Sequence, residues 1–212
     1  MSQNDLQQLG QATTQLIETL YSPHTPPSLQ TSLQSQLQTI QSNPESWSLI
    51  SPILASSTSP YPTQVRFFAA STLQLKIARA WDSLPEEQHQ LIKEQVLEWS
   101  SRSASASYPR SAAAATATTS SSSSAPANVG ERIVLRKLAS ALTSLSLRLF
   151  DQGWDHWLLE IITRVVAAGT STEGVLQVLS VVIEQVARAE LSATKRCVQD
   201  MFLAEASQPR NM

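Results

Sequence analysis

Val65-Arg66-Phe67-Phe68-Ala69-Ala70-Ser71-Thr72-Leu73-Gln74-Leu75-Lys76-Ile77-Ala78-Arg79-Ala80-Trp81 decides the fold. At about 100° per residue, Phe67, Ala70, Leu73, Ile77 and Trp81 form one wide apolar stripe, and Phe68 and Leu75 lie on another side. Thr72, Lys76 and Arg79 share the polar band that remains. A helix apolar nearly all round must be packed on several sides, yet this one retains cations. The inner helix of a stacked repeat has that requirement. It touches its partner helix and both neighbouring repeats, and turns one ridge toward a ligand.

Three more stripes recur along the chain: Leu29, Leu33, Leu37, Ile40; then Leu135, Leu138, Leu142, Leu145, Leu149; then Val175, Leu179, Val182, Val186. Leu29 to Phe67 is 38 residues, and Leu135 to Val175 is 40. The middle interval, Phe67 to Leu135, is 68 and falls to 40 once the 28-residue Ser/Ala tract Ser101–Asn128 is set aside. A period near 40 with two helices per unit sits at the lower edge of the roughly 40–47 residues of HEAT and armadillo repeats. The spacing therefore predicts an all-α fold. It is an α-solenoid of HEAT-type helix pairs, about four repeats plus one extra helix, interrupted by a disordered Ser/Ala insertion.

Composition excludes several alternatives. The 212 residues carry a net charge of −2, with 42% hydrophobic and 15% charged residues, which leaves no electrostatic footprint for direct nucleic-acid binding. Five glycines argue against β-rich and Gly-loop nucleotide folds. Cys197 is the single cysteine, so no disulfide framework and no cysteine zinc site is expected. The opening Met1-Ser2-Gln3-Asn4-Asp5 lacks the pattern of a signal peptide. The apolar run Trp157–Ala168 is broken by Glu160 and Arg164, so no membrane insertion is expected. His24, His89 and His156 have no metal-ligand spacing, and neither a G-x-S-x-G elbow nor a G-x-x-x-x-G-K-[ST] loop is present. The sequence gives no reason to expect catalysis or a cofactor.

Punctuation divides the chain into repeats over 1–100, the insertion at 101–128, further repeats over 129–206 and a tail at 207–212. Asn4-Asp5 opens a first helix, and Pro23, Pro26 and Pro27 break it before a second helix at Ser28–Gln41. Asn43-Pro44-Glu45 reads as the start of a third helix, and Ser83-Leu84-Pro85-Glu86 as a capping box for a fifth. The polyserine run Ser120–Ser124, flanked by Pro109 and Pro126, marks the tract as a disordered insertion within one repeat. After it, helices are expected at Glu131–Phe150, Trp154–Ala168, Thr172–Ala189 and Ala193–Ala206, the last without a partner.

Four segments resemble the N-terminal region of the importin-β superfamily, in its importin-thirteen and transportin-three-like branch. Ile17-Glu18-Thr19-Leu20-Tyr21-Ser22-Pro23 is similar to the end of that family's opening helix, and Ile40-Gln41-Ser42-Asn43-Pro44-Glu45-Ser46-Trp47 to its "Q-x-S-P-x-A-W" turn. Val65 to Trp81 with Leu84-Pro85 resembles "V-x-[YF]-F-[GA]-A-x-x-L-x-x-K-I-x-x-x-W-x-x-[IL]-P", and Ile133 to Leu142 resembles "I-V-L-x-[KR]-L-x-x-A-L". Asn43 replaces the usual Ser before Pro44, and Ile77 stands where many members have Asn.

The resemblance implies a nuclear transport receptor, or the N-terminal portion of one, active in protein import into the nucleus. In that family the inner helices of the N-terminal repeats bind the GTP form of the GTPase Ran, protein cargo is held by the superhelix, and Phe-Gly nucleoporins bind outer grooves. It further implies shuttling between cytoplasm and nucleus. Carried onto the matched helices, the candidate Ran-facing residues are Thr72, Lys76 and Arg79, with Arg136, Lys137 and Ser140 on the next. Lys76 stands at the motif's Lys and Lys137 at its [KR] position.

The residues by themselves leave other readings open. Lys76 and Arg79 also suit a solvated helix face, and Arg136, Lys137 and Arg148 also suit snorkelling beside an apolar stripe. Phe67, Phe68, Trp81, Trp99, Trp154 and Trp157 fit inter-helix packing or an aromatic peptide groove. A generic HEAT scaffold without a GTPase partner needs the stripes but not the motif residues.

Overall fold

A computed structural model describes residues 3–44, 46–55, 61–110 and 127–206. Helices α1 (Gln3–Leu20), α2 (Pro27–Ser42), α3 (Ser46–Ala55), α4 (Thr63–Arg79), α5 (Glu86–Ser107), α6 (Ala127–Leu149), α7 (Trp157–Ala167) and α8 (Thr172–Ala206) follow in chain order. They pair as α1–α2, α3–α4, α5–α6 and α7–α8. The odd helices stack α1 on α3, α3 on α5 and α5 on α7, while α4 packs on α6 and α6 on α8. Two layers of helices joined pair by pair make an all-α solenoid of HEAT type, as the 40-residue period predicts.

One continuous core runs through the stack, from Ile17 in α1 through Leu49, Ile53, Leu73, Val96, Leu138 and Leu142 to Ile161 and Val182. Helix α4 buries Val65, Ala69, Ala70, Leu73 and Ile77, and it packs on α1, α3 and α6. Trp81 lies in a short 3₁₀ turn after α4, fully buried and stacked on the His89 ring at 4.3 Å between centroids. His89 Nε2 lies 2.9 Å from the Trp81 carbonyl oxygen and Nδ1 3.1 Å from a Glu86 carboxylate oxygen, so this histidine braces the α4–α5 connection.

Several local expectations need correction. The Ser/Ala tract does not begin at Ser101, because α5 runs on to Ser107 with Ser100, Ser101, Ser103, Ala104 and Ser107 buried. Helix α6, which packs on α5, buries small residues of its own, Ala139, Ala141, Thr143 and Ser146. Small side chains on packed helices let backbones approach closely, so this serine run is packing rather than low complexity. The chain stays pinned after α5: Arg110 N–H donates to the Gly169 carbonyl and Ser171 N–H to the Tyr108 carbonyl, both at 2.8 Å. Gly174 is required beside that strap, since a Cβ there would meet Tyr108 Cβ at 2.6 Å. The rest of the expected insertion, 111–126, lies outside the described residues, and Ala127 already belongs to α6.

Ser83 does not cap α5. Its Oγ donates to the Ala80 carbonyl at 2.7 Å, closing the 3₁₀ turn, and Pro85 takes the N-cap. Asn43 terminates α2 instead of opening a helix, and its carbonyl receives Ser46 N–H at 3.1 Å just before α3. The two helices expected at Thr172–Ala189 and Ala193–Ala206 are one, α8, because Glu190-Leu191-Ser192 contains neither Gly nor Pro to break it. The tail 207–212 lies outside the described residues, as does Glu45. Among the described residues no helix is long and apolar enough to cross a membrane.

Candidate partner-binding face

The six candidate residues sit on α4 and α6, adjacent helices of the even-numbered layer, and they divide into two groups. Thr72, Lys76 and Ser140 are buried, at 1%, 5% and 6% exposure. Thr72 Oγ1 donates to the Phe68 carbonyl at 2.9 Å and accepts from Gln41 Nε2 at 3.2 Å. Ser140 Oγ accepts from Gln74 Nε2 at 2.8 Å, a cross-link between α4 and α6. Lys76 Nζ donates to the Asn43 carbonyl at 2.5 Å, and burial lowers its pKa below the ordinary 10.5.

The polar band of α4 is therefore not a free ridge. The C-terminal end of α2 and the turn into α3 cover it, and their amide and carbonyl groups satisfy Thr72 and Lys76. Thr72, Lys76 and Ser140 are thus buried and hydrogen-bonded between neighbouring elements. Arg79, Arg136 and Lys137 keep a surface.

Arg136 is exposed and pairs with Glu184 of α8 at 2.7 Å, and Arg188 reaches the same carboxylate at 2.5 Å. Lys137 is half-buried, with Nζ 6.0 Å from the Phe67 ring centroid, and desolvation lowers its pKa. Arg136, Lys137 and Arg188 line a cavity of about 400 Å³ with Phe67, Gln74 and Glu184. Three cations around one doubly engaged carboxylate leave this spot net positive. The same bias holds for α4 as a whole, which carries Arg66, Lys76 and Arg79 and no acid. The opposite layer is acidic at α5, with Glu86, Glu87, Glu94 and Glu98 against Lys93 and Arg102. Charge is thus segregated between the layers, which a net charge of −2 conceals.

The reading of α4 missed a larger feature. A groove of about 760 Å³ opens between α1, α2 and α4, floored by Leu20, Phe67, Phe68 and Leu75, with Gln34 and Gln38 on the α2 side and Arg79 also lining it. Its signal was present in α2, where Pro27–Ser42 holds not one charged residue. The aromatic residues divide as well: Trp81, Trp99 and Trp154 are buried in packing, while Phe67 and Phe68 are half-buried and line this groove.

Stacked helix pairs, with net positive α4 in one layer and net negative α5 in the other, define a HEAT-type α-solenoid. Comparison with known proteins narrows the class. Residues 33–101 match the importin-beta N-terminal domain. The chain is 25% identical over 158 residues to Importin-13 of Homo sapiens, covering 72% of this chain and 14% of that protein. It is 27% identical over 121 residues to Importin-13 of Bos taurus and of Mus musculus, in each case 57% of this chain and 10% of the relative. These are likenesses to the importin-beta N-terminal domain and to Importin-13, and they agree with the resemblance carried by the four sequence segments. The chain spans about a seventh of the length of the human relative it matches.

Proposed function

We propose that the chain is a non-enzymatic binding module of a nuclear transport receptor in protein import, whose even-numbered layer engages Ran in its GTP form. The family match over residues 33–101 carries this reading, and the positive spot at Arg136, Lys137 and Arg188 supports it. A lysine or arginine held on a packed helix favours an acidic or carbonyl-rich partner surface. Protein cargo competes with Ran through linkage, each weakening the other by the same factor. Phe-Gly nucleoporins complete the partner set, and the protein shuttles between cytoplasm and nucleus.

The test is retention of Ran on the immobilised chain, loaded with GTP or with GDP. Preferential retention of the GTP form is expected, weakened in Arg136→Glu with Lys137→Glu while circular dichroism stays unchanged. Equal retention of both forms, or retention untouched by the double substitution, refutes the proposal.

A further inference from the structure

The groove between α1, α2 and α4 has properties that the positive spot on α6 and α8 does not share. It is long: its α4 lining runs from Gln64 to Arg79, which at about 1.5 Å per residue is about 22 Å. An extended chain advances about 3.3 Å per residue, so the groove matches a segment of roughly six or seven residues. A compact small molecule would leave most of it empty.

Its floor is apolar, from Leu20, Phe67, Phe68 and Leu75, and takes large aliphatic or aromatic side chains. Its α2 wall is carboxamide. Gln34 and Gln38 are one helical turn apart, exposed, and without a hydrogen-bond partner among the described residues. A carboxamide both donates and accepts, which is what pairing with a peptide main chain requires.

The charge is one-sided. Among the described residues no carboxylate lines the groove, and Arg79 is its single cation. Among the described residues other arginines are engaged: Arg66 with Glu131, Arg136 and Arg188 with Glu184, Arg148 with Asp82 and Arg164 with Glu94. Arg79 is exposed, and among the described residues it has no carboxylate, carbonyl or aromatic partner.

We propose that this groove docks an extended peptide segment bearing large apolar side chains and ending in an acidic group, the acid pairing with Arg79. The apolar side chains enter between Phe67, Phe68 and Leu75, and Gln34 and Gln38 bond the segment's main chain. The inference needs neither nucleotide nor the cations of α6, although α4 and Arg79 belong to the layer proposed for Ran.

The test is fluorescence anisotropy with the full chain and a labelled nonapeptide, Ser-Leu-Ser-Phe-Ser-Leu-Gly-Asp-Glu. One control peptide ends in Lys-Lys, and another carries Ser in place of Leu and Phe. The acidic apolar peptide is expected to bind with a dissociation constant on the order of 10–100 μM. Arg79→Glu, and Gln38→Glu on the exposed face of α2, are each expected to weaken it by about tenfold or more. A benzophenone in place of the peptide's Phe should cross-link to α2 or α4. Three results overturn the proposal: no saturable binding, equal binding of the acidic and basic peptides, or cross-links confined to other helices. Peptide binding with no preference for Ran-GTP refutes the transport reading alone, and the reverse outcome refutes the groove alone.

Discussion

Lys76→Glu distinguishes a buried strut from a surface ligand. Lys76 is 5% exposed and donates to the Asn43 carbonyl at 2.5 Å. Its charge-assisted hydrogen bond contributes about 1.5–3 kcal/mol, which the burial that lowers its pKa offsets in full. Lys76→Met removes both, and Asn43 O still accepts from Ser46 N–H and Oγ, so no acceptor is orphaned. Met is therefore expected to change stability by no more than about 1 kcal/mol in either direction near neutral pH. Glu places a carboxylate against a carbonyl oxygen in the same buried spot, which costs about 3–5 kcal/mol. An exposed lysine would move stability by no more than about 0.5 kcal/mol. Urea unfolding followed by far-UV circular dichroism measures all three. A Lys76→Glu midpoint within error of the parent would refute the burial argument and return Lys76 to the binding face.

Because the folded pKa of Lys76 is lowered, the unfolded chain holds more protons between that value and 10.5. Parent stability relative to Lys76→Met therefore rises as pH climbs through that window and is lost as pH falls through the folded pKa; a difference that shrinks with rising pH contradicts it. Ser103 Oγ is buried without a hydrogen-bond partner, so Ser103→Ala is expected to gain about 1 kcal/mol, and Ser103→Leu to lose about 1–3 kcal/mol by overpacking. Thermal melts check the pair, and a destabilising Ala would show that the hydroxyl is satisfied. Leu159 and Val166 on α7, and Leu176 and Ile183 on α8, are exposed and spaced seven apart on each helix. Concentration-dependent self-association is expected, reduced by Leu159→Gln with Ile183→Gln; a parent that sediments as a monomer at high concentration overturns this.

The helix pairs and their period were legible because stripe spacing reports burial directly: Leu73, Leu138, Leu142 and Leu145 are all within 1% of full burial. The α8 stripe was offset, since Val178, Val181 and Val182 are the buried set and Leu179 only half so. What a helical wheel cannot show is who covers a polar band. Thr72, Lys76 and Ser140 looked exposed because their partners, Gln41, Asn43 and Gln74, are a carboxamide, a main-chain oxygen and another carboxamide. None of these announces itself by charge. Ser101–Ser107 misled for a related reason: small polar residues serve close helix packing and flexible tracts alike, and only the three-dimensional partner tells them apart.

The anchor of Lys76 has an evolutionary corollary. Its acceptor is a peptide oxygen, so with respect to that bond the identity of residue 43 is immaterial. A charge swap across the α2–α4 junction has no side chain to act on, and a lost cation at position 76 cannot be compensated by one exchange opposite it. The bond ties position 76 to the main chain of the α2–α3 turn, so it is the path of the backbone there, more than any side chain opposite, that sets where the cation sits.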